Sequence, residues 1–224
     1  PSSTRYVFVD GEGNKSLDRN HNDLALMFKQ QQCSLLENGS LPIVERAVNR
    51  LLKSTFEQIK NDSNRDELTN LLGRKGFQRE VSELLNTISD PGDHHVMLEL
   101  DIDQFSMIND LCGIKGGDKL LQTFASIISN YLPENTLLAR IGDDEFGILL
   151  KDSSVGEAFH VAEMQRRAME NLRYTWDGTA VPATASVGIL VIDANTRSVT
   201  EVLNKASAAC HLAKQDGGNC SRIY

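Results

Sequence analysis

The chain has 224 residues, 31 acidic against 23 basic side chains for a formal net charge of −8, 40% apolar and 24% charged. That length holds one domain of ordinary size plus a smaller appendage, and the composition is that of a globular protein. No apolar run approaches a membrane span, and the acidic balance excludes a general nucleic-acid binder, which carries a basic face; binding of a mononucleotide needs only local positive charge and stays open.

In chain order, residues 5–13 read as a short strand running into a Gly-rich turn, and residues 24–36 have mixed helical character. A helix is expected over 42–59, where Leu41, Val44, Val48, Leu51 and Thr55 alternate at spacings of three and four. That seam suits either an amphipathic face packing on the main domain or a signalling stalk that pairs with a second copy. The polar stretch 61–65 is the expected boundary, giving an N-terminal extension over 1–61 and a main domain over 62–224. In the main domain, Asp66 and Thr69 offer helix capping, and a helix over 75–85 carries Phe77, Val81, Leu84 and Leu85 on one face. Asp90-Pro91-Gly92-Asp93 reads as a turn before a strand over 94–102. Two helices follow, near 104–112 and 117–131, then a hairpin over 136–150, a helix over 155–172, a strand over 183–192, a helix over 200–215 and an edge strand over 221–224. The order β-α-α-β-β-α-β-α-β predicts an α+β fold, a palm-like mixed sheet flanked by helices. Cys33, Cys112, Cys210 and Cys220 lack C-x-x-C spacing and read as reduced thiols of a cytoplasmic protein. The five histidines have no zinc-type spacing. The chain opens at Pro1 without an initiator Met, which reads as a piece of a longer protein that could carry a membrane anchor elsewhere.

Two acidic clusters carry the chemistry. One is Asp101-Ile102-Asp103 at the end of an apolar strand, and the other is Gly142-Asp143-Asp144-Glu145 at the tip of the hairpin. A Gly followed by short acidic residues favours a tight turn, through positive φ at Gly and Asp bonding to its own backbone. Repulsion among three tip carboxylates is not explained by a turn alone. If the strands are neighbours, Asp101 and Asp144 converge with Glu145 beside them. Carboxylates so arranged hold hard cations such as Mg²⁺, which combine one or two carboxylates with substrate phosphates. Of Asp101 and Asp103, one is expected to face the site and the other to cap the next helix.

Several motifs resemble a known family. Asp66-Glu67-Leu68-Thr69-Asn70-Leu71-Leu72-Gly73-Arg74 resembles D-x-L-T-G-L-x-N-R. Asp101-Ile102-Asp103-Gln104-Phe105, Ile108-Asn109-Asp110, Gly113 and Gly117-Asp118 resemble D-I-D-x-F-K-x-I-N-D-x-x-G-H-x-x-G-D. Residues 142–146 resemble G-G-[DE]-E-F, Ala185-Ser186-Val187-Gly188-Ile189 resembles A-S-x-G-I, and residues 213–219 resemble A-K-x-x-G-R-N. The family is that of the GGDEF domains, diguanylate cyclases that condense two GTP into cyclic di-GMP, and the resemblance spans about 62–224. It implies that Asp101, Asp144 and the Ile102 carbonyl hold Mg²⁺, with Glu145 a second acidic ligand or the group that orients the attacking 3′-hydroxyl. It implies that Asn109 and Asp118 read the guanine, that Gly142 lies against the nucleotide, and that Lys214 reaches the phosphates. An Asn amide and a carboxylate suit a purine's O6 and its N1/N2 donors; alone, Asn109-Asp110 would read as a helix C-cap or turn. Lys214 alone would be a solvated charge near the negative helix end. Arg140 is read as a structural ion pair or a nucleotide contact. The family also implies that two domains face each other, here through the N-terminal helix of a homodimer, and such domains often precede a cyclic di-GMP phosphodiesterase (EAL) domain.

The departures from the pattern matter as much. Asp143 stands for the second Gly, Ser106 for a phosphate-binding Lys, Gly218 for the Arg of G-R-N, Ile114 (beside Lys115) for a His, and Gly73 for an Asn. The inhibitory product site, R-x-x-D before the hairpin, is replaced by Pro133 and Thr136, so feedback through it is not expected. Metal carboxylates and base readers survive while the phosphate cradle is eroded. The expectation is a degenerate domain that binds guanine nucleotide and Mg²⁺ weakly and regulates a neighbour; the alternatives are an active diguanylate cyclase and an interaction scaffold without nucleotide.

Overall fold

The computed structural model describes residues 7–9, 15–17, 64–88, 94–134 and 136–224. The chain divides into two compact units, Pro1–Ile59 and Lys60–Tyr224. In the first, β1 (Val7–Val9) pairs antiparallel with β2 (Lys15–Leu17). The helix expected over 42–59 with its seam, and the turn at 90–93, lie outside the described residues.

The second unit runs β3 (Leu72–Gly73), α1 (Arg74–Leu85), β4 (His95–Ile102), α2 (Phe105–Asn130), β5 (Leu137–Arg140), β6 (Glu145–Leu150), α3 (Val155–Glu170), β7 (Thr175–Trp176), β8 (Thr179–Ala180), β9 (Ala185–Ile192), α4 (Val199–Gln215) and β10 (Ser221–Ile223). Six strands form one mixed sheet in the order β10-β9-β4-β6-β5-β3. Its four central strands are antiparallel neighbours, while the edge strands β10 and β3 add parallel. The α+β, palm-like mixed sheet expected from the sequence is the observed fold. Two elements were not expected: the two-residue edge β3 and the small β7–β8 hairpin.

Alternation along β4 divides the core in two. Val96, Leu98, Leu100 and Ile102 face α2 and α3 with Phe124, Ile128, Phe146, Ala158 and Val161. Met97 faces the other way, with Phe77 and Val81 of α1 and Val202, Leu203 and Ala206 of α4. Glu99 and Asp101 continue that second face toward the strand's end. The helices form where apolar positions recur at three- and four-residue spacing, and α3 opens on a reciprocal cap in which Ser154 and Glu157 satisfy each other's backbone N–H.

Helix α2 is two helices joined at Gly113, whose φ of 69° and ψ of 171° break the helical run. The sequence expected two helices here, and the glycine supplies the left-handed φ at little steric cost. Gly188 in β9 serves closeness instead: a Cβ there would run into the backbone of Ala206 and Cys210, so α4 lies directly on the sheet. That approach carries the last turn of α4, with Lys214, to the end of β4.

Candidate functional site

Strand register brings the two acidic clusters together. Asp101 of β4 pairs directly with Glu145 of β6 on one side and with Ser186 of β9 on the other. The Ile102 N–H points to the Asp144 carbonyl at 3.4 Å. The Ile102 side chain is fully buried on the α2 face, so only its backbone is available to the site. Asp144 and Glu145 both repel Asp101 electrostatically, and Lys214 is attracted to both Asp101 and Asp144. The Lys214 ammonium stands 2.5 Å from Asp101 Oδ1. That oxygen is buried, and the ion pair with the ammonium is the contact that favours its charged form. Burial, with repulsion from Asp144 and Glu145, pushes the Asp101 carboxyl up to about 7 despite the lysine.

The hairpin tip is held from several directions. The N–H groups of Ile141 and Gly142 both donate to the Glu145 carbonyl, at 2.9 and 3.3 Å. Gly142 does not take positive φ, contrary to the turn expected from the sequence. Its role is spatial: the Glu145 carboxylate occupies the place where a Cβ on Gly142 would sit. Arg140 donates to both Asp66 oxygens, at 3.2 and 3.1 Å, and to the Asp143 carbonyl at 2.7 Å. Of the two readings of Arg140, the structure shows the ion pair. Asp66 in turn accepts from the Thr69 N–H and hydroxyl rather than capping a helix. Arg74 donates to the Ile141 carbonyl at 2.9 Å, a support for the tip that sequence reading left unassigned.

Of Asp101 and Asp103, one is expected to face the site and the other to cap the next helix; the α2 N-cap is instead Gln104, with no side-chain cap. Residues two apart on a strand share a face, and the chain turns at Gln104 with φ 54°, which provides no side-chain cap for α2. The Asp103 carboxylate accepts from Thr184 Oγ1 at 2.7 Å, Ser186 Oγ at 2.6 Å and the Asn219 N–H at 2.8 Å. Asn219 then receives Arg166 at 2.7 Å and donates to Glu170 at 2.8 Å, and Arg166 is paired with Glu163. This network fixes the loop after Lys214 to β4, β9 and α3. Gly218, with φ 75°, lies in it with its Cβ position 3.1 Å from the Asp103 carboxylate.

Asn109 and Asp118 are arranged around the α2 break at Gly113. Asn109, before the break, rests its side-chain oxygen where a Cβ on Gly117 would be, and Gly117 adjoins Asp118. Both Asn109 and Asp118 are half-buried. Tyr174 donates its buried hydroxyl to the Gly116 carbonyl at 2.7 Å, and Trp176 packs against Gly116. The unexpected β7–β8 hairpin therefore braces the helix that carries the pair. Its sequence signal was present in Asp177-Gly178 between two short extended pairs, with φ 48° and 78°.

Glu99 belongs to the same acidic stretch of sequence as Asp101, and sequence reading assigned it no role. It is 4% exposed, one step further in than Asp101, and burial first, then repulsion from Glu145, raises its carboxyl to about 7. Among the departures, Ser106 and Asp143 are exposed. Among the described residues, no group of three or more His, Cys, Asp or Glu side chains is arranged to hold a metal ion alone. The donor set of hard carboxylate oxygens at Asp101, Asp144 and Glu145 fits a Mg²⁺ that completes its shell with phosphates.

A model of the GGDEF domain of diguanylate cyclases matches residues 63–220. The probable diguanylate cyclase DgcE of Escherichia coli K12 is 33% identical over 172 residues, which are 77% of this chain and 16% of that protein. The cyclic di-GMP phosphodiesterase PdeB of Shewanella oneidensis is 32% identical over 170 residues, 75% of this chain and 19% of that protein. The coiled coil and GGDEF domain of DgcB from Caulobacter crescentus, solved in complex with c-di-GMP, superposes with a TM-score of 0.73 at 25% identity, covering 81% of this chain and 96% of that one. Across the curated relatives named here the chain spans under a fifth of their length.

Proposed function

Because the chain belongs to the GGDEF domain family of diguanylate cyclases, we propose that it is a degenerate member that binds a guanine nucleotide with Mg²⁺ weakly and regulates a neighbouring domain in cyclic di-GMP signalling. The observation that carries this reading is the meeting of Asp101, Asp144, Glu145 and Lys214 at one strand end, together with the departures from the family's pattern in the sequence at positions 106, 143 and 218. Asp101 and Asp144, with the Ile102 backbone carbonyl, would hold the metal, and Glu145 would be a further ligand or orient the attacking hydroxyl. The metal, when bound, neutralises triphosphate charge. Asn109 and Asp118 orient the base, Gly142 lies against the nucleotide, and Lys214 steers phosphate.

Each missing charge-assisted contact removes about 1.5–3 kcal/mol, and each 1.4 kcal/mol is about a factor of ten. Loss of the Ser106 and Gly218 contacts therefore weakens turnover more than it weakens base reading. The neighbour is read as an EAL-type phosphodiesterase, a reading supported by the likeness to PdeB. The N-terminal extension over 1–61 is read as a stalk that could pair two copies, and the protein as cytoplasmic in this part. No helix among the described residues is long and apolar enough to cross a membrane.

The second reading, a working diguanylate cyclase of reduced rate, is favoured by the retention of Asp101, Asp144, Glu145, Asn109, Asp118 and Lys214 together. Incubation with GTP and Mg²⁺ followed by chromatography separates the two. The degenerate domain gives no cyclic di-GMP; its accumulation over many turnovers establishes the cyclase instead.

A further inference from the structure

We propose that Lys214 is the resident cation of the carboxylate centre: its ammonium holds the place beside Asp101 that a divalent ion needs, so metal alone is kept out and enters together with a nucleotide whose phosphates draw the ammonium away. The inference rests on the reading of Asp101 and Asp144 as the metal-holding pair, and goes beyond a lysine that only contacts phosphate.

The ammonium lies against Asp101 Oδ1, a buried oxygen. The root of the lysine is fixed. Gly188 lets α4 lie on β9, and the N–H groups of Gly217 and Gly218 close the helix end onto Lys214 and Ala213. Its head is free to travel, because a four-carbon stem carries a compact, strongly hydrated charge. The other cations near the tip are engaged elsewhere: Arg74 donates to the Ile141 carbonyl, and Arg140 to Asp66 and the Asp143 carbonyl. Arg74 also acts on Glu99, and Lys214 is the cation that acts on Asp101 and Asp144. A divalent ion arriving alone must displace it, or bind beside a like charge. A triphosphate gives the ammonium another anionic partner within reach of its stem, and the vacated carboxylate oxygen then serves the metal. Reciprocity follows: nucleotide strengthens metal binding by the same factor as metal strengthens nucleotide binding.

The test uses Mn²⁺ as the probe, titrated into the full chain and followed by the electron paramagnetic resonance signal of the free ion, with and without a non-hydrolysable GTP analogue. Lys214→Met is expected to bind Mn²⁺ alone about tenfold more tightly than the unaltered protein, within the usual range of such couplings. Lys214→Arg, which keeps the charge, stays near the unaltered value. Lys205→Met, which removes a lysine paired with Glu201, also changes nothing. Adding Asp101→Asn to Lys214→Met abolishes the gain. The proposal is overturned if Lys214→Met binds Mn²⁺ no more tightly than the unaltered chain, or if the gain survives Asp101→Asn. Thermal melts confirm that each variant is folded. Failure of the nucleotide reading shows separately, as no binding of the analogue by the unaltered chain, and the comparison with Mn²⁺ alone still decides the role of Lys214.

Discussion

Replacing Gly117 by alanine should remove guanine recognition while leaving the fold intact. A Cβ at residue 117 would fall on the Asn109 side-chain oxygen and reach 3.2 Å from Phe105 Cζ. Asn109 is half-buried on a rotatable stem, so it is the group that gives way. The helix itself gains, since alanine is favoured over glycine by about 1 kcal/mol in a helix interior. On the proposed role of Asn109 in base reading, displacing it forfeits two neutral hydrogen bonds, about 1–3 kcal/mol together, a loss of about 5- to 150-fold in affinity. The assay is titration of a fluorescent GTP analogue with Mg²⁺, run beside thermal melts. Gly117→Ala should bind as weakly as Asn109→Ala with a melting temperature no lower than that of the unaltered chain. The double variant should be no weaker than Asn109→Ala alone, because the steric conflict has lost its object. Undiminished affinity in Gly117→Ala, or an equal further loss in the Asn109→Ala background, would refute the reasoning.

Other perturbations test other parts of the site. Asp143→Gly with Ser106→Lys, both at exposed positions, should tighten nucleotide binding by about tenfold or more, since one charge-assisted bond is worth about 1.5–3 kcal/mol; unchanged affinity would mean the cradle is not what limits binding. Gly218→Arg is not an equivalent repair, because a side chain at φ 75° is strained and abuts Asp103. Burial acts to raise the Asp66 carboxyl, but the bonds from Thr69 and Arg140 outweigh it and hold the group below its ordinary 3.8. A depressed folded value means stability that is full above 3.8 and lost as pH falls through the folded value. Asp66→Asn should therefore cost about 1–2 kcal/mol in urea unfolding at pH 7, a difference that shrinks as pH falls below that window. A difference that stays constant into strong acid would contradict it. Tyr174→Phe removes the buried hydrogen bond to the Gly116 carbonyl and should destabilise by about 0.5–1.5 kcal/mol, read by the same unfolding measurement.

Much of this molecule is written in local pattern. The hairpin around Asp143-Asp144, the strand ending at Asp101, and the break of α2 at Gly113 are each set by residues adjacent in sequence, and the structure places them as read. What escaped depends on contacts between distant segments. Asp103 finds its partners at Thr184, Ser186 and Asn219, more than eighty residues away, so alternation along one strand could not reveal them. Gly142 looked like a turn glycine, yet its φ is not positive and the Glu145 carboxylate is folded against it. Asp66 resembled a helix cap, but the helix begins at Arg74 and the carboxylate is spent on Thr69 and Arg140. The β7–β8 hairpin was legible in Asp177-Gly178 but its strands are two residues each, too short to show a period.

Calorimetry with a non-hydrolysable GTP analogue and Mg²⁺, comparing the unaltered chain with Asp101→Asn and Asp144→Asn, tests most directly the proposal that these two carboxylates hold the metal. Binding heat that appears with Mg²⁺, disappears with EDTA and is lost in both variants is the predicted result. No heat from the unaltered chain under any metal condition, or equal binding after either carboxylate is neutralised, would contradict it.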